Sequence, residues 1–375
     1  MSRPRVVLLR GHNANVWDAR PWERLADAYD VELLVTGSNL HEVSSTALRV
    51  VDARTPRDAL PGGRAAGAAA YLLGERYLGL ESRLAGAALV HSAEIGTWFS
   101  AQAAKLKARL GFKLAVTVWE TLPWRDAHRW PRERAYRRAV LPAADLFLAA
   151  TQRAREGLLL EGVADERIVV CEPGIDVAHF AAGTAAAVHE HVVLSAGRFV
   201  WEKGHQDVLR ALAALRGGLL GEARSDVRAL VVGSGPEEAR LRRYTHELGL
   251  DGAADFRSTV PYAQMPALYA GASALVLASL PTRGWEEQFG MVLAEAMASG
   301  TPIVACSTGA IPEVLGGQGT LVPAGDWMGL ARALAAGPLA GAPAARVPYD
   351  AERVRHYSAE AAAERLRAAY RRVIG

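Results

Sequence analysis

Short runs of apolar, often β-branched residues recur along the first half of the chain and alternate with segments of helical periodicity. The predicted strands are residues 6–9, 31–36, 88–91, 114–118, 146–150 and 168–171. Uniformly apolar strands that alternate with helices are typical of parallel sheets covered by helices on both faces. The first half therefore predicts a doubly wound α/β domain.

The same alternation resumes in the second half, with predicted strands at residues 192–196, 229–232, 254–256, 274–277, 302–305 and 320–322. Small residues at 181–188 suit a connection between domains. We therefore predict an N-terminal Rossmann-like domain over residues 1–183, a C-terminal Rossmann-like domain over 184–356, and a final helix over 357–375 that packs back on the N-terminal domain. Open parallel sheets bind ligands at the carboxyl ends of their strands, so a central cleft between the domains is the expected place for chemistry.

Composition narrows the classes of protein. The chain has 375 residues, 50% of them hydrophobic and 22% charged, which is the composition of a globular protein of two domains. A formal charge of +3 gives no reason to expect a nucleic-acid partner. Two cysteines and the lack of a signal-peptide pattern predict a cytoplasmic protein. The longest uncharged stretch, residues 265–282, is interrupted by prolines and is not expected to span a membrane.

One segment of the second half carries two glutamates in different structural settings. The pattern predicts a loop through Glu287, a short helix that begins near Gly290, and a helix end at Gly300. Glu295 would then lie on the helix while Glu287 lies on the loop before it. The two carboxylates are therefore expected to reach different parts of one ligand.

The start of this helix is a predicted phosphate site. The backbone amides of Gly290, Met291 and Val292 would be donors without intrahelical partners. Such amides, together with the helix dipole, favour an anionic group at the N-terminus.

Several segments resemble one enzyme family. Glu287, seven residues, Glu295 and then Ala-Met-Ala-Ser-Gly-Thr-Pro-Ile-Val resemble the signature of the family 4 retaining glycosyltransferases of the GT-B fold (glycosyltransferases group 1). Residues 196–205, which read Ala-Gly-Arg-Phe-Val-Trp-Glu-Lys-Gly-His, resemble the family's Gly-Arg turn that ends in Glu-Lys-Gly. Residues 231–236 resemble its Gly-x-Gly-Pro loop, and residues 171–176 its inter-domain Pro-x-Gly-Ile-Asp type segment. The ordered set covers nearly all of the second half and loosely the first.

The resemblance implies a transferase that moves a hexose from a nucleotide-diphosphate sugar, UDP- or GDP-linked, to an acceptor hydroxyl with retention at the anomeric carbon. Glu287 would hold hydroxyls of the donor sugar and Glu295 the ribose hydroxyls. Arg198 and Lys203 would neutralise the diphosphate as the sugar bond breaks. Arg198, Lys203 and Glu287 are therefore the candidate catalytic residues, and neither a metal ion nor a cofactor besides the donor is expected.

Two glycines follow the predicted strand at 229–232. Gly233 and Gly235 could let the backbone approach the nucleotide closely, or they could simply make a tight turn; the sequence supports both interpretations. Glu238 stands where a dehydrogenase fingerprint would need its third glycine, which argues against that class.

The first half offers candidates for the acceptor side. His12 and Asn13 follow the first predicted strand, where a contact with the donor phosphate or with the acceptor is equally compatible with the sequence. Residues 90–94 resemble the family's His-x-His-acid segment, but Ala93 stands in place of the second histidine. The candidate acceptor-side residues are His12, Asn13, His91, Glu94 and Glu120. For the two glutamates, a helix-cap or loop role is as well supported.

Residues 124–138 hold six arginines together with tryptophan and tyrosine. This stretch could make weak peripheral contact with an anionic membrane or a lipid-linked acceptor. A solvated helix face is the interpretation that the pattern favours.

Other functions fit parts of the pattern. The glutamates could be surface charges and Arg198 a surface salt bridge, and two nearby carboxylates also suit a hydrolase. An epimerase or a phosphorylase would share the two-domain architecture. A non-catalytic nucleotide-sugar-binding scaffold or partner subunit is the alternative from another class, supported by Ala93.

Overall fold

The computed structural model describes residues 3–59, 74–125, 131–185, 188–258 and 260–375. Contacts divide the chain into two units, Met1–Ile175 with Ser358–Gly375, and Asp176–Tyr357. We call these the N-terminal unit and the C-terminal unit. The first boundary falls before the predicted one at residue 183, because Phe180 packs edge-on against Tyr262 and Tyr269 of the C-terminal unit.

Seven parallel strands form the sheet of the N-terminal unit, in the order β3-β2-β1-β4-β5-β6-β7. They are β1 Arg5–Leu9, β2 Asp30–Thr36, β3 Arg49–Ala53, β4 Leu89–Ala93, β5 Lys113–Val118, β6 Leu146–Ala149 and β7 Ile168–Val170. The first helices of this unit are α1 Val16–Glu23, α2 Leu80–Leu84, α3 Trp98–Leu110, α4 Pro131–Ala143 and α5 Gln152–Leu160. Strand β3 was not among the predicted strands; the other six were, within two residues at each end.

The C-terminal unit is built on a second parallel sheet of six strands, in the order β10-β9-β8-β11-β12-β13. They are β8 His191–Ala196, β9 Val227–Val232, β10 Ala254–Arg257, β11 Ala274–Leu277, β12 Ile303–Cys306 and β13 Thr320–Val322. Its helices are α6 Val177–Ala181, α7 His205–Arg216, α8 Glu238–Glu247, α9 Met265–Gly271, α10 Met291–Ser299, α11 Ile311–Leu315, α12 Trp327–Ala336 and α13 Ala351–His356. Both units thus confirm the predicted doubly wound α/β class.

The last helix, α14 Ala359–Ile374, belongs to the N-terminal unit, as predicted. Its side chains at Ala362, Leu366 and Tyr370 recur at helical spacing and are buried against the face of the sheet that also carries Leu8. Ser358 caps the helix, its side chain accepting a hydrogen bond from the amide of residue 361 at 3.0 Å.

Among the helices of the described residues, none has the length and apolar character that a bilayer-spanning segment requires.

Candidate functional site

The strand order of each sheet reverses direction at one point. In the C-terminal unit, strand order proceeds one way from β8 to β10 and the other way from β11 to β13, so the reversal lies between β8 and β11. Ligands of open parallel sheets bind where loops diverge at such a point. We call the loops that follow these strands, residues 197–204 and 278–290, the switch-point loops. They are joined by a hydrogen bond from the amide of Leu280 to the carbonyl of Glu202, at 2.8 Å.

Lys203 and Glu287 form an ion pair between the two switch-point loops. The Nζ atom of Lys203 lies 3.0 Å from Oε1 and 2.8 Å from Oε2 of Glu287. The hydroxyl of Ser279 donates to Oε2 at 2.6 Å, and the ring of Trp285 lies 5.0 Å from Nζ. The Glu287 side chain is 6% exposed and that of Lys203 16%. The structure therefore brings together two of the three candidate catalytic residues.

Arg198 differs from Lys203 in having no side-chain partner among the described residues. Its side chain is exposed and makes no hydrogen bond or ion pair with the described part of the chain. Its carbonyl is held instead, by a hydrogen bond from Nε2 of the buried His205 at 3.1 Å. One guanidinium on a fixed backbone is thus available for an anion.

Helix α10 begins as predicted. Gly290 has a φ of +82° and precedes the first helical residue, Met291, and Gly300 ends the helix with a φ of +70°. The amides of Gly290, Met291 and Val292 donate to no carbonyl of the described residues. Their role as phosphate donors stays a prediction with the required geometry in place.

Glu295 lies on the second turn of α10 and is only 8% exposed. The hydroxyl of Tyr269 donates to its Oε2 at 2.5 Å. Burial raises the pKa of Glu295 to about 7, against the lowering effect of the hydrogen bond from Tyr269. The residue predicted to hold ribose hydroxyls is therefore engaged at one oxygen, and its ribose contact stays a prediction.

The two glycines after β9 are required by backbone packing. Gly233 and Gly235 have φ angles of +146° and +157°. A Cβ atom at Gly233 would lie 1.9 Å from the carbonyl oxygen of Gly197, and one at Gly235 2.4 Å from that of Phe199. Close contact between the loops after β8 and β9 thus accounts for both glycines, and a contact with the nucleotide stays a prediction.

In the N-terminal unit the reversal of strand order lies between β1 and β4. His12 follows β1, and its Nδ1 lies 2.9 Å from Oγ1 of Thr36 and 3.0 Å from Oγ of Ser38. Asn13 is exposed beside it. Glu94 follows β4, so His12, Asn13 and Glu94 lie at the carboxyl edge of this sheet.

His91 lies within β4 and is fully buried. The Tyr370 hydroxyl lies 2.6 Å from Nδ1, and Oγ1 of Thr117 lies 2.7 Å from Nε2. Burial lowers the pKa of His91 well below its ordinary value. Both ring nitrogens are therefore engaged with side chains in the core of the N-terminal unit, and neither is exposed to an acceptor substrate.

Glu94 and Glu120 lie close to one backbone segment. Glu94 has a φ of +61°, unusual for a residue with a side chain, and its Oε1 accepts a hydrogen bond from the amide of Trp119 at 2.8 Å. Burial raises the pKa of Glu94 to about 7, and the charge of Glu120 acts in the same direction. Glu120 is paired with Arg125 at 2.8 Å. Their contact with an acceptor stays a prediction.

The basic stretch 124–138 is only partly described, because residues 126–130 lie outside the described residues. Trp124 is 52% exposed, whereas Arg137 is buried and paired with Glu161. Arg125 pairs with Glu120. Two of the arginines thus serve contacts within the unit.

Sequence reasoning missed four residues of this site. Ser279, two residues after a predicted strand, and Trp285, two residues before Glu287, had positional signals. His205 ends the segment 196–205 and so also had a positional signal, whereas Tyr269 had none, because its partner Glu295 lies on another helix.

Comparison with solved structures assigns the chain to a known fold. Solved structures that superpose on nearly the whole chain include the sucrose-phosphate synthase of Thermosynechococcus elongatus (20% identity, TM-score 0.71, 99% of each chain). The Anabaena protein HepE in complex with UDP and glucose also superposes (17% identity, TM-score 0.74, 99% of this chain and 100% of HepE). Two Rossmann-like units of this kind are the GT-B fold.

Family comparisons go further. Residues 180–336 match the model of the glycosyl transferases group 1, and residues 19–179 match that of Glycosyltransferase Family 4. The chain belongs to this family of glycosyltransferases, with one matched domain in each half.

Curated proteins that are similar in sequence to this chain are also named glycosyltransferases. The D-inositol 3-phosphate glycosyltransferase of Mycobacterium bovis is 33% identical over 259 residues, which are 63% of this chain and 50% of the relative. The D-inositol 3-phosphate glycosyltransferase 1 of Catenulispora acidiphila is 32% identical over 220 residues, 55% of this chain and 51% of the relative. The chain spans about half the length of the curated relatives it matches.

Proposed function

We propose that the protein is a retaining glycosyltransferase that moves a hexose from a nucleotide-diphosphate sugar to an acceptor hydroxyl. The observation that carries the proposal is the Lys203–Glu287 ion pair at the switch point, with Arg198 on the same loop as Lys203 and without a partner in the described part of the chain. Family membership and structural relatives in complex with UDP support this choice of donor.

The donor would be held by both charges and amides. Arg198, Lys203 and the amides at the start of α10 would bind the diphosphate, whose negative charge grows as the glycosidic bond breaks. Glu287, held by Lys203 and Ser279, would accept hydroxyls of the sugar. Because the positive charges come from the protein, we propose that the reaction needs no metal ion.

The acceptor would attack on the face from which the diphosphate departs. The bond from the anomeric carbon to the acceptor oxygen forms as the bond to the diphosphate breaks, and a leaving phosphate oxygen takes the acceptor proton. We propose that the acceptor is a glycan, a lipid-linked sugar or a small molecule in the cytoplasm, bound by the N-terminal unit. Trp124 would be the exposed contact if that acceptor is lipid-linked.

The first experiment identifies the donor. UDP-, GDP- and ADP-linked hexoses are screened by thermal shift, since a ligand that binds the folded state raises its apparent stability. Turnover is then followed as release of nucleoside diphosphate with a panel of acceptors, with and without EDTA. Release that depends on acceptor and is unchanged by EDTA supports the proposal. Binding without release under any condition would instead support a non-catalytic nucleotide-sugar-binding protein.

Arg198→Ala tests the diphosphate contact with little risk to folding, because the side chain is exposed and unpaired within the described residues. We expect kcat/KM to fall about 100-fold. The matched control is Arg332→Ala, an exposed arginine on α12 outside the proposed site. Equal activity in the two variants would contradict the assignment of Arg198.

A further inference from the structure

Tyr269 is a fully buried tyrosine whose position is fixed at both ends. Its ring packs edge-on against Phe180 of α6, with ring centroids 5.6 Å apart. Its backbone carbonyl accepts hydrogen bonds from Thr301 Oγ1 at 3.0 Å and Arg346 Nη1 at 3.1 Å. The phenol hydroxyl therefore has little freedom, and it points from α9 to the Glu295 carboxylate on α10.

The two oxygens of Glu295 are consequently not equivalent. Oε2 accepts the Tyr269 hydroxyl at 2.5 Å, while Oε1 has no hydrogen bond with the described residues. A carboxylate can accept several hydrogen bonds, so Oε1 keeps its capacity for a ligand hydroxyl. The side chain is 8% exposed, which leaves a small accessible area.

We propose that Tyr269 is a positioning residue for donor binding: its hydroxyl holds Oε2 of Glu295 so that Oε1 accepts a ribose hydroxyl of the nucleotide. This inference rests on the proposed function, in which Glu295 contacts the ribose. A merely structural role, in which the pair only joins α9 to α10, predicts a loss of stability without a specific effect on nucleotides.

The ionisation of Glu295 supplies an independent readout. Burial raises the pKa of Glu295 to about 7, and burial also raises the pKa of Tyr269, so the phenol stays a donor. Tyr262, stacked on His179, is the other titratable group that acts on Tyr269. A carboxylate accepts hydroxyl hydrogen bonds better than a carboxylic acid, so nucleotide affinity should rise as the pH rises through about 7.

The experiment compares the wild type with Tyr269→Phe and a control, Tyr349→Phe. Tyr349 is a tyrosine of the same unit whose hydroxyl donates to the carbonyl of Thr301 at 2.8 Å, so this control also removes one internal hydrogen bond. Dissociation constants of UDP, GDP and ADP are measured by calorimetry between pH 6 and 9, together with those of their 2′- and 3′-deoxy forms. Thermal unfolding of each protein is recorded in parallel.

For the nucleotide that binds, we expect Tyr269→Phe to weaken affinity about tenfold at pH 7, with kcat at saturating donor within about twofold of wild type. Losing a hydrogen bond to the ionised carboxylate raises the pKa of Glu295 further, so the pH midpoint of binding should move upward. Tyr349→Phe should change neither quantity. The affinity lost by a deoxy nucleotide should be larger in the wild type than in Tyr269→Phe.

Two results would overturn the inference alone: wild-type affinity and pH midpoint in Tyr269→Phe, or the same loss in Tyr349→Phe. A wild type that binds none of the three nucleotides overturns the proposed function and this inference with it. If Tyr269→Phe does not fold, the deoxy nucleotides still test the inference on the wild-type protein. Equal affinity and equal pH dependence for ribose and deoxyribose nucleotides would show that no hydroxyl reaches Glu295.

Discussion

Lys203 and Glu287 form an ion pair that is largely buried. The pair therefore contributes to the stability of the C-terminal unit as well as to the proposed chemistry. Glu287 is 6% exposed at its side chain, so its negative charge depends on Lys203 and Ser279 for compensation. A charge left in such a place without its partner is costly. The same pair that would bind donor therefore also holds the switch-point loops together.

Lys203→Ala should destabilise the protein as well as abolish turnover. We expect the free energy of unfolding to fall by about 3 kcal/mol, because Glu287 loses its cation. The double variant Lys203→Ala/Glu287→Gln should recover most of this stability but no turnover. Urea unfolding and nucleoside diphosphate release measure the two effects. A single variant as stable as the wild type would show that the pair contributes nothing to folding.

His205 predicts how stability depends on pH. Burial lowers the pKa of His205 to about 4, so between pH 6.5 and 4 the unfolded chain binds a proton that the folded state does not. The free energy of unfolding should therefore fall as the pH drops through this range, by roughly 2 kcal/mol from this residue at pH 5.

In His205→Gln that part of the acid destabilisation should disappear, while the amide nitrogen can still donate to the carbonyl of Arg198. Urea unfolding at pH 7.5 and pH 5 gives the comparison. His205→Asn is the control, since it does not titrate either but is too short to reach that carbonyl; it should be less stable than His205→Gln at both pH values. An unchanged pH dependence in both variants would contradict the assignment.

For individual residues, the sequence identified the candidate site residues better than it identified their hydrogen-bond partners. Lys203 and Glu287 were identified through ordered motifs, but the bond between Tyr269 and Glu295 joins two helices separated by a strand and a loop. Likewise, His91 had the right neighbours in sequence for an exposed role. It lies within the predicted strand 88–91, but no local pattern predicts the contact between its Nδ1 and the Tyr370 hydroxyl.

The hydrophobic pattern predicted every central strand of the two sheets, and among the edge strands it missed β3. Strand β8 contains an apolar run at residues 192–194 and buries five of its six residues, as expected for a central parallel strand. Strand β3 lies at the edge of its sheet and exposes Arg49 and Val50, with only Ala53 buried. Such a strand lacks an apolar run, so the hydrophobic pattern alone does not predict it.

Contact between the loops after β8 and β9 yields an element-level prediction. Gly233→Ala should lower the free energy of unfolding by about 3 kcal/mol, since a Cβ atom there would lie 1.9 Å from a carbonyl oxygen of Gly197. The matched control is Gly252→Ala, where φ is +73° and no atom lies within 4 Å of the added carbon; it should cost about 1 kcal/mol. Chemical denaturation of both variants tests this. Equal costs would show that backbone conformation, rather than loop contact, demands the glycine.

For the whole molecule, the sequence predicted two Rossmann-like units and the return of the last helix to the first of them. The boundary was placed late because the alanine-rich stretch resembles a linker, whereas Phe180 just before it belongs to the core of the C-terminal unit. Side-chain packing decides that boundary, and composition does not report it.

A substitution at Tyr370 tests whether the N-terminal unit can lose stability without the C-terminal unit. Its hydroxyl accepts a hydrogen bond from Trp22 Nε1 at 2.8 Å and lies within hydrogen-bond distance, 2.6 Å, of His91 Nδ1. Tyr370→Phe would leave two buried polar groups unpaired, and we expect a loss of about 3 kcal/mol. Hydrogen exchange should show reduced protection in β1 and β4 and unchanged protection in β8 and β11. A uniform loss across both sheets would contradict independent stability of the units.

Helix α14 is synthesised after the C-terminal unit, although the rest of the unit that it completes is synthesised before it. On the ribosome, the apolar cluster that contains Leu8 of β1 and Trp22 of α1 lacks Leu366 and Tyr370 until the whole of residues 176–357 has been synthesised. The C-terminal unit can therefore finish folding before the N-terminal unit does. In the interval the nascent chain carries an uncovered apolar surface, which is the kind of surface that chaperones recognise.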